Sequence, residues 1–271
     1  MKSILGLTRR ATLSTAALLL AGSLAGVVAA APAAADALEG IKSSKKFVVC
    51  GVDGMLPYSS SDAKIPGFEV EIARKLGEKL GAEAEYTWVS WDALIPALTS
   101  KRCDAIVDGM FITPEREKVI SFSTPYYASG ETILVRKGDT SVKGLADLHG
   151  KKVGALAGSV TVDHLQKEGI PDVAVYPDQN TIVLELNNGR IDAAYLEAPS
   201  AAWILTGDPS LDVRIVEEFV PEERFNAGVG LRQEDKELKA AIDAAIHQMR
   251  DDGTIKAVLE GYKVPYFPTA H

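Results

Sequence analysis

The sequence predicts an α/β fold in which parallel strands alternate with helices. Residues 47–52 form a continuous apolar run, typical of a strand buried on both faces of a parallel sheet. A helix is expected over residues 68–80, because apolar side chains recur every four positions and Gly81 follows as a helix end. A further β-prone run at residues 84–89 completes a strand–helix–strand unit, whose crossover is expected to be right-handed.

The stretch of residues 103–127 carries the clearest local signals for a binding site. After a short β-prone run, Thr113 is a good N-cap and Pro114 suits the first helical position. A capping box would have Glu or Gln at the third helical position. This chain has Arg116 there, a cation that opposes the helix dipole. We interpret Arg116 as a carboxylate-binding residue; the alternative is a surface arginine paired with a neighbouring glutamate.

This stretch closely resembles the signature of the periplasmic amino-acid-binding proteins of ABC transporters, solute-binding protein family 3. The residues that match this signature are Asp104, Ala105, Ile106, Gly109, Ile112, Thr113, Arg116, Phe122, Ser123, Pro125 and Tyr126. Residues 67–71, 91–98, 145–154 and 189–197 are also similar to family segments. The resemblance covers essentially the whole chain after residue 35, and it implies that Arg116 binds the ligand's α-carboxylate.

The resemblance implies a two-lobed periplasmic-binding-protein fold of type II. Each lobe is expected to be a mostly parallel sheet flanked by helices, with the ligand in the cleft between the lobes. Residues 36–130 and 225–271 would form lobe 1, and residues 131–224 would form lobe 2. The chain is expected to cross between the lobes near residues 128–130 and 225–227.

Residues 1–35 are predicted to be a signal peptide. A cationic start precedes an apolar run over residues 13–30, and the alanines at residues 33–35 form a small-residue cleavage site. Cleavage near Ala35 would release the protein into the periplasm, and both the Sec and the twin-arginine routes remain open. Removal of this segment leaves 26 basic against 37 acidic residues, a net charge of −11 that argues against nucleic-acid partners.

The histidines and cysteines show no metal-ligand spacing, and no phosphate-binding or nucleophile motif is present, so no cofactor, metal or catalytic residue is expected. Cys50 lies within the first predicted strand, and Cys103 begins a predicted strand that would neighbour it. Their positions differ by about two residues along the strands, roughly 6–7 Å. We therefore expect two buried thiols, with a disulfide as the alternative.

The resemblance assigns further residues to the two ends of an amino acid. Ser159 and Val160, at a helix start, would offer backbone N–H groups to the carboxylate, although a plain N-cap is the alternative. Glu197 stands where the family has the aspartate that binds the ammonium, and the Gly109 carbonyl would accept from the same group. Phe111 replaces a hydroxyl residue and is expected to place a ring in the site, which raises the possibility of a modified amino acid.

Selectivity is expected to come from lobe 1. Asp53 and Asp108, together with Glu197, would place three acids at one cleft and favour a cationic ligand such as arginine, lysine or ornithine. The alternative for Asp108 is a lysine partner outside the pocket. Trp91 is a candidate wall for stacking on the ligand, and Leu56 or Tyr58 would form the opposite wall; the alternative for each aromatic residue is burial in the core.

The resulting function is a monomeric extracytoplasmic solute-binding protein that closes by hinge motion on an amino acid and delivers it to the permease of an ABC transporter. The first alternative is an exported enzyme of the cyclohexadienyl dehydratase kind, which shares the fold. Those enzymes carry a lysine and a glutamate where this chain has Leu56 and Ser200, so their catalytic residues are absent. The second alternative is a sensor or partner subunit that does not transport.

Overall fold

The computed structural model of the protein describes residues 36–221 and 224–267. The predicted signal peptide lies outside these described residues. In chain order the strands are β1 (Lys46–Gly51), β2 (Glu83–Trp88), β3 (Ala105–Ile106), β4 (Ser121–Phe122), β5 (Tyr127–Ser129), β6 (Glu131–Arg136), β7 (Val153–Leu156), β8 (Val173–Tyr176), β9 (Ala193–Glu197), β10 (Val213–Ile215), β11 (Phe225–Ala227) and β12 (Gly230–Leu231). The α-helices are α1 (Ala37–Ser44), α2 (Phe68–Leu80), α3 (Leu94–Thr99), α4 (Pro114–Glu117), α5 (Val160–Lys167), α6 (Gln179–Asn187), α7 (Ala198–Gly207), α8 (Lys236–Asp251) and α9 (Thr254–Gly261).

The first sheet has the strand order β2-β1-β3-β12-β4. Its β1 strand is parallel to both β2 and β3, as the strand–helix–strand pattern predicts. The late strand β12 then enters antiparallel between β3 and β4, so the C-terminal part of the chain completes a sheet begun near its start. We call this sheet and its helices lobe 1.

The second sheet has the order β10-β6-β9-β7-β8, and all its strands lie between residues 131 and 215. Strands β7, β8 and β9 are parallel, whereas β6 pairs antiparallel with β9 and β10. We call this sheet and its helices lobe 2. The two crossings between the lobes pair with each other, because β5 and β11 form a two-stranded antiparallel ribbon.

Local sequence signals position several elements correctly. Helix α2 covers the predicted residues 68–80 and buries Phe68, Ile72 and Leu76, and Gly81 ends it in the left-handed conformation. From its sequence the segment of residues 227–231 predicts a single strand, but the structure divides it between β11 and β12. The division arises because Ala227 pairs with Tyr127 in the ribbon, whereas Gly230 pairs in the first sheet.

The two cysteines form a disulfide, so the expectation of two thiols is wrong. Cys50 lies in β1 opposite Ile106, but Cys103 precedes β3 and is not part of its strand pairing. The Asp104 N–H donates to the Val48 carbonyl oxygen at 2.7 Å, which brings the residue before it alongside β1. The two Cα atoms are therefore 5.6 Å apart, within the range that a disulfide requires.

None of the helices within residues 36–221 and 224–267 combines the length and the apolar character that a bilayer crossing requires.

Candidate functional site

Arg116 extends from lobe 1 toward lobe 2. Thr113 is the N-cap of α4, as predicted, and its hydroxyl accepts from the Arg116 N–H at 3.2 Å. The guanidinium then donates through Nη1 to the Phe111 carbonyl oxygen at 2.8 Å and through Nη2 to the Gly158 carbonyl oxygen at 3.3 Å. It is directed to these carbonyls rather than to the neighbouring glutamates, and burial lowers the pKa of the guanidinium below its ordinary value.

Trp91 meets the same carbonyl as Arg116. Its indole Nε1 donates to the Gly158 oxygen at 3.2 Å, and its ring centroid is 5.8 Å from the Arg116 Cζ. Gly158 has φ +71°, and a Cβ atom there would lie 3.3 Å from the Cα of Asp92. Two side chains of lobe 1 therefore converge on one backbone position of lobe 2, next to the start of α5.

The start of α5 differs in part from the expectation. Ser159 occupies the N-cap position, but its hydroxyl donates to the Leu156 carbonyl oxygen at 2.7 Å and does not cap the helix. The Ser159 N–H also donates to Leu156, at 3.2 Å, so it is already used within lobe 2. Val160 is the first residue of α5, where helix geometry leaves the N–H without a partner inside the helix.

Glu197 ends β9 and is buried, with 7% of its surface exposed. Its Oε2 accepts from the Gln179 Nε2 at 2.6 Å. Burial raises the pKa of Glu197 to about 7; the charge of Glu131 raises it further, while Gln179 and Arg116 oppose the shift. A carboxyl in this state gains stability from an added cation, because the cation favours its ionised form.

Asp108 is fully buried in lobe 1, which differs from the expectation that it faces the cleft. Its Oδ2 accepts from the Val52 N–H at 2.8 Å, so the side chain links the loop after β3 to the end of β1. Burial raises the pKa of Asp108 to about 7. Val52 directly follows β1, and Asp108 is the second residue after the adjacent parallel strand β3, so the ends of two neighbouring strands are linked without a lysine.

Asp53 is exposed and is engaged by its own loop. Its carboxylate accepts from the Ser61 N–H at 2.7 Å and from the Ser61 hydroxyl at 2.9 Å. The three acids are therefore not equivalent. Asp53 is occupied at the rim of the cleft, Asp108 lies in the interior of lobe 1, and Glu197 lies in lobe 2.

Two of the three aromatic residues predicted near the ligand, Phe111 and Tyr58, pack on other aromatic rings away from the cleft. The Phe111 ring stacks on Phe225 of β11 with centroids 5.3 Å apart, so it packs on the ribbon and does not project into the cleft as expected. Tyr58 is buried against Phe68, with centroids 4.9 Å apart. Gly109 has φ +69°, and a Cβ atom there would be 2.5 Å from the Tyr58 ring, so only glycine fits.

A small cavity of about 20 Å³ lies between the lobes. Trp91 and Asp53 line it, as do two residues that the sequence did not identify, Gln179 and Ser200. Both residues lie near the carboxyl ends of strands in the second sheet, where open α/β sheets place their ligands. Their positions just after β-prone runs could therefore have identified both residues from the sequence. The Asn180 amide also donates to the Gly54 carbonyl oxygen at 3.5 Å across the cleft.

Potential metal ligands are dispersed in this structure. Over residues 36–221 and 224–267, the histidine, cysteine and acidic side chains form no cluster that could hold a metal ion.

Comparison with known proteins places the chain in a family. Residues 48–264 match the bacterial extracellular solute-binding proteins, family 3. The chain is 36% identical over 219 residues to the L-cystine-binding protein TcyJ of Escherichia coli, covering 79% of this chain and 81% of the relative. It is 33% identical to the lysine/arginine/ornithine-binding periplasmic protein of the same organism, over 76% of this chain and 83% of the relative.

Solved structures give the same result for the fold. An ancestral arginine-binding protein bound to arginine has a TM-score of 0.75 and 32% identity, over 81% of this chain and 98% of that chain. An arginine-binding protein from T. maritima has a TM-score of 0.77 and 30% identity, over 83% and 98% of the two chains. An ancestral amino-acid-binding protein that is a precursor of cyclohexadienyl dehydratase has a TM-score of 0.76 and 28% identity, over 84% and 99%.

These matches confirm the predicted two-lobed type II fold, and the relatives named above are binding proteins. Leu56 and Ser200 stand at the cleft, where the enzyme alternative requires a lysine and a glutamate. The chain belongs to the bacterial extracellular solute-binding proteins of family 3, and it is a solute-binding protein rather than an enzyme.

Proposed function

We propose that this protein binds an amino acid, with a preference for cationic ones, in the cleft between its lobes and passes it to the permease of an ABC transporter. Its relatives include periplasmic proteins named for binding cystine, histidine, and lysine, arginine and ornithine. In this proposal the protein acts as a monomer in the periplasm.

The convergence of Arg116 and Trp91 on Gly158 carries the proposal. It places a guanidinium next to the first turn of α5, where backbone N–H groups and the positive end of the helix dipole favour an anion. A carboxylate at this point would replace the carbonyl as the partner of Arg116. It would gain charge-assisted bonds that a neutral carbonyl does not provide.

The amine end of the ligand is assigned to Glu197. This carboxyl is buried in lobe 2 and its pKa is raised to about 7, so a cationic partner would favour its charged form. Asp108 also has a raised pKa, but its contact with Val52 gives it a structural role. Glu197 therefore pairs with the α-ammonium that every amino acid carries, and the preference for cationic ligands is supported by the similarity to lysine-, arginine- and ornithine-binding relatives rather than by a cluster of three acids.

Binding requires the lobes to separate and close again. A cavity of about 20 Å³ is of the order of a single water site, and it is far below the roughly 300–1,000 Å³ of ligand pockets. The lobes are joined by the β5–β11 ribbon, and we assign the hinge to it. The contacts of Gly158 with lobe 1 would break on opening and form again, around the ligand, on closure.

A thermal-shift screen of the ligand-stripped, disulfide-bonded protein tests the proposal. The probes are L-arginine, L-lysine, L-ornithine, L-histidine, L-cystine and agmatine, an amine without a carboxylate. A ligand at 100 times its dissociation constant stabilises a protein by roughly 2.7 kcal/mol, which shifts the melting temperature measurably. The matched variants are Arg116→Ala and, as control, Arg190→Ala, whose side chain is exposed and pairs with Glu185.

We expect one or more of the amino acids to stabilise the protein and its Arg190→Ala variant but not Arg116→Ala. Agmatine should have no effect. A shift with agmatine equal to that with L-arginine would contradict the carboxylate role of Arg116. The absence of any shift would contradict amino-acid binding.

Export and transport need separate measurements. The mass of the protein purified from the periplasmic fraction should correspond to a chain that begins near residue 36. Uptake of the bound amino acid by cells should be lost on deletion of the gene and restored by the wild-type chain. Full-length protein retained in the cytoplasm would contradict the predicted signal peptide.

A further inference from the structure

Three buried polar side chains of lobe 2 lie close to the cleft: Gln179 bonds to Glu197, and Gln179 and Ser200 line the same cavity. Gln179 is at the start of α6, Glu197 at the end of β9 and Ser200 in the first turn of α7. Their exposed fractions are 5%, 7% and 1%. Polar groups buried to this degree normally have hydrogen-bond partners, because water is no longer available to them.

Two of these side chains have polar atoms without a partner. The Gln179 amide donates through Nε2 to Glu197 Oε2 at 2.6 Å, which turns its Oε1 away from that carboxylate. Neither Gln179 Oε1 nor Ser200 Oγ makes a hydrogen bond within the described residues. A buried polar atom in this condition is destabilising, because it has lost its bonds to water and has gained no partner in the protein. Both residues line the cleft cavity together with Trp91.

The free atoms are of the acceptor type. Gln179 Oε1 is an amide oxygen and only accepts, Ser200 Oγ accepts as well as donates, and Glu197 adds carboxylate oxygens. A primary ammonium has three N–H donors and no acceptor, so its hydrogen-bonding capacity matches three acceptors of this kind. A secondary ammonium has two N–H donors and a second carbon substituent, which leaves one acceptor unpaired.

We propose that Gln179 and Ser200 are specificity residues that complete, with Glu197, a three-acceptor site for a primary α-ammonium group. The site selects unmodified amino acids over N-alkylated ones such as opine-like conjugates. This inference rests on the proposed function, because it adds two residues and a ligand class to the same cleft. It also explains why two unpaired polar atoms are retained at one wall of the cleft.

The experiment measures binding by isothermal titration calorimetry. The probes are L-arginine, L-lysine, L-histidine and L-cystine, and then the Nα-methyl derivative of whichever binds most tightly. The variants are Gln179→Met and Ser200→Ala, with Gln248→Met and Ser43→Ala as exposed controls. Arg116→Ala serves as the reference for the carboxylate end.

We expect Gln179→Met and Ser200→Ala each to weaken binding of the primary amine by roughly fivefold, the equivalent of one ordinary hydrogen bond. Both should weaken binding of the Nα-methyl derivative less, because the wild-type protein already binds it poorly. Ser200→Ala should also raise the urea midpoint of the ligand-free protein, since it removes an unpaired buried hydroxyl. If the Ser200 hydroxyl had a purely structural role, its removal would not both weaken ligand binding and raise the urea midpoint.

The outcomes separate the two proposals. If Arg116→Ala abolishes binding while Gln179→Met and Ser200→Ala bind like their controls, the ammonium site is wrong and the proposed function stands. Equal affinity of the wild-type protein for the Nα-methyl derivative would also overturn the ammonium site. If none of the four amino acids binds, both the function and the site are wrong.

Discussion

Glu131 and Glu197 lie directly opposite each other in the antiparallel pairing of β6 with β9, and both side chains are buried. Directly opposed residues project from the same face of a sheet, so like charges at these positions repel. Glu131 accepts from the Tyr195 hydroxyl and from His164 Nδ1, the latter at 2.8 Å. Its charge is one of the causes that raise the pKa of Glu197 to about 7.

This arrangement predicts that binding of a cationic amino acid depends on pH. The ligand prefers ionised Glu197, whose fraction rises as the pH passes through about 7. Affinity should therefore increase roughly tenfold from pH 6 to pH 8, with protons released on binding at the lower pH. Calorimetry in buffers of different ionisation enthalpy measures both quantities.

Replacement of Glu131 should move this pH window. Glu131→Gln removes the opposing charge, so the pKa of Glu197 should fall and the rise in affinity should occur at lower pH. Glu260→Gln, on an exposed part of α9, is the control. A pH profile in Glu131→Gln identical to that of the wild-type protein would show that the two carboxyls are not coupled.

Glu69 predicts a second pH effect, on stability. It is buried in lobe 1 and accepts from the hydroxyls of Tyr126 and Tyr127 at 2.8 and 3.1 Å. Burial raises its pKa from 4.5 to about 8. The folded state therefore binds the Glu69 proton more tightly than the unfolded state does. The stability that this proton contributes is fully present below pH 4.5 and is lost as the pH rises through about 8.

Glu69→Gln should remove that loss. Between pH 5 and pH 9 the free energy of unfolding should fall more in the wild-type protein than in Glu69→Gln, by a difference on the order of 4 kcal/mol. Urea unfolding at a series of pH values gives the comparison. Glu78→Gln, at an exposed position of α2, should behave like the wild-type protein, and parallel curves for Glu69→Gln would refute the effect.

The disulfide predicts a measurable loss of stability on reduction. Cys50 and Cys103 are 53 residues apart in the chain, and a loop of this length corresponds to about 4 kcal/mol of stabilisation through the unfolded state. Dithiothreitol should lower the urea midpoint of the wild-type protein. The double variant Cys50→Ala/Cys103→Ala should already have the lower urea midpoint, and dithiothreitol should not change it. A fall in the midpoint of that variant with dithiothreitol would exclude the disulfide as the cause of the effect.

Replacement of Gly158 should impair closure of the two lobes, and this effect can be separated from that of backbone strain. Gly158→Ala imposes a left-handed backbone on alanine and also places a Cβ 3.3 Å from Asp92 of lobe 1. Gly150→Ala is a matched control, because its φ is +77° and no atom lies within 4 Å of the added Cβ. Both should be destabilised by about 1–2 kcal/mol in urea unfolding. Only Gly158→Ala should also weaken amino-acid binding, and equal affinities would exclude a closure role.

The sequence by itself determined the elements whose causes are local. Helix α2 follows from a four-residue apolar repeat and a terminal Gly81, and the N-cap of α4 follows from Thr113 before Pro114. Residues 131–136 form a β-prone run in the sequence, and strand β6 has these bounds. In these cases the interacting residues lie within about one helical turn or one strand, so the order of residues contains the information.

The resemblance of residues 103–127 to the family signature was equally local, and it was sufficient to predict the family and the two-lobed fold. It also directed attention to Arg116, and the resemblance of residues 189–197 directed attention to Glu197. The side-chain contacts of these residues were not predictable in the same way. Asp108 and Phe111, which lie on the same loop, were expected in the cleft but pack on Val52 and Phe225.

Tertiary structure alone decided the contacts between distant segments. Gly158 meets Arg116 and Trp91 across 42 and 67 residues of chain, and Gln179 meets Glu197 across 18. The disulfide forms because the turn before β3 brings Cys103 back to β1. The number of residues along each strand does not reveal this approach. Such contacts depend on how sheets and loops pack, which no spacing within a single segment encodes.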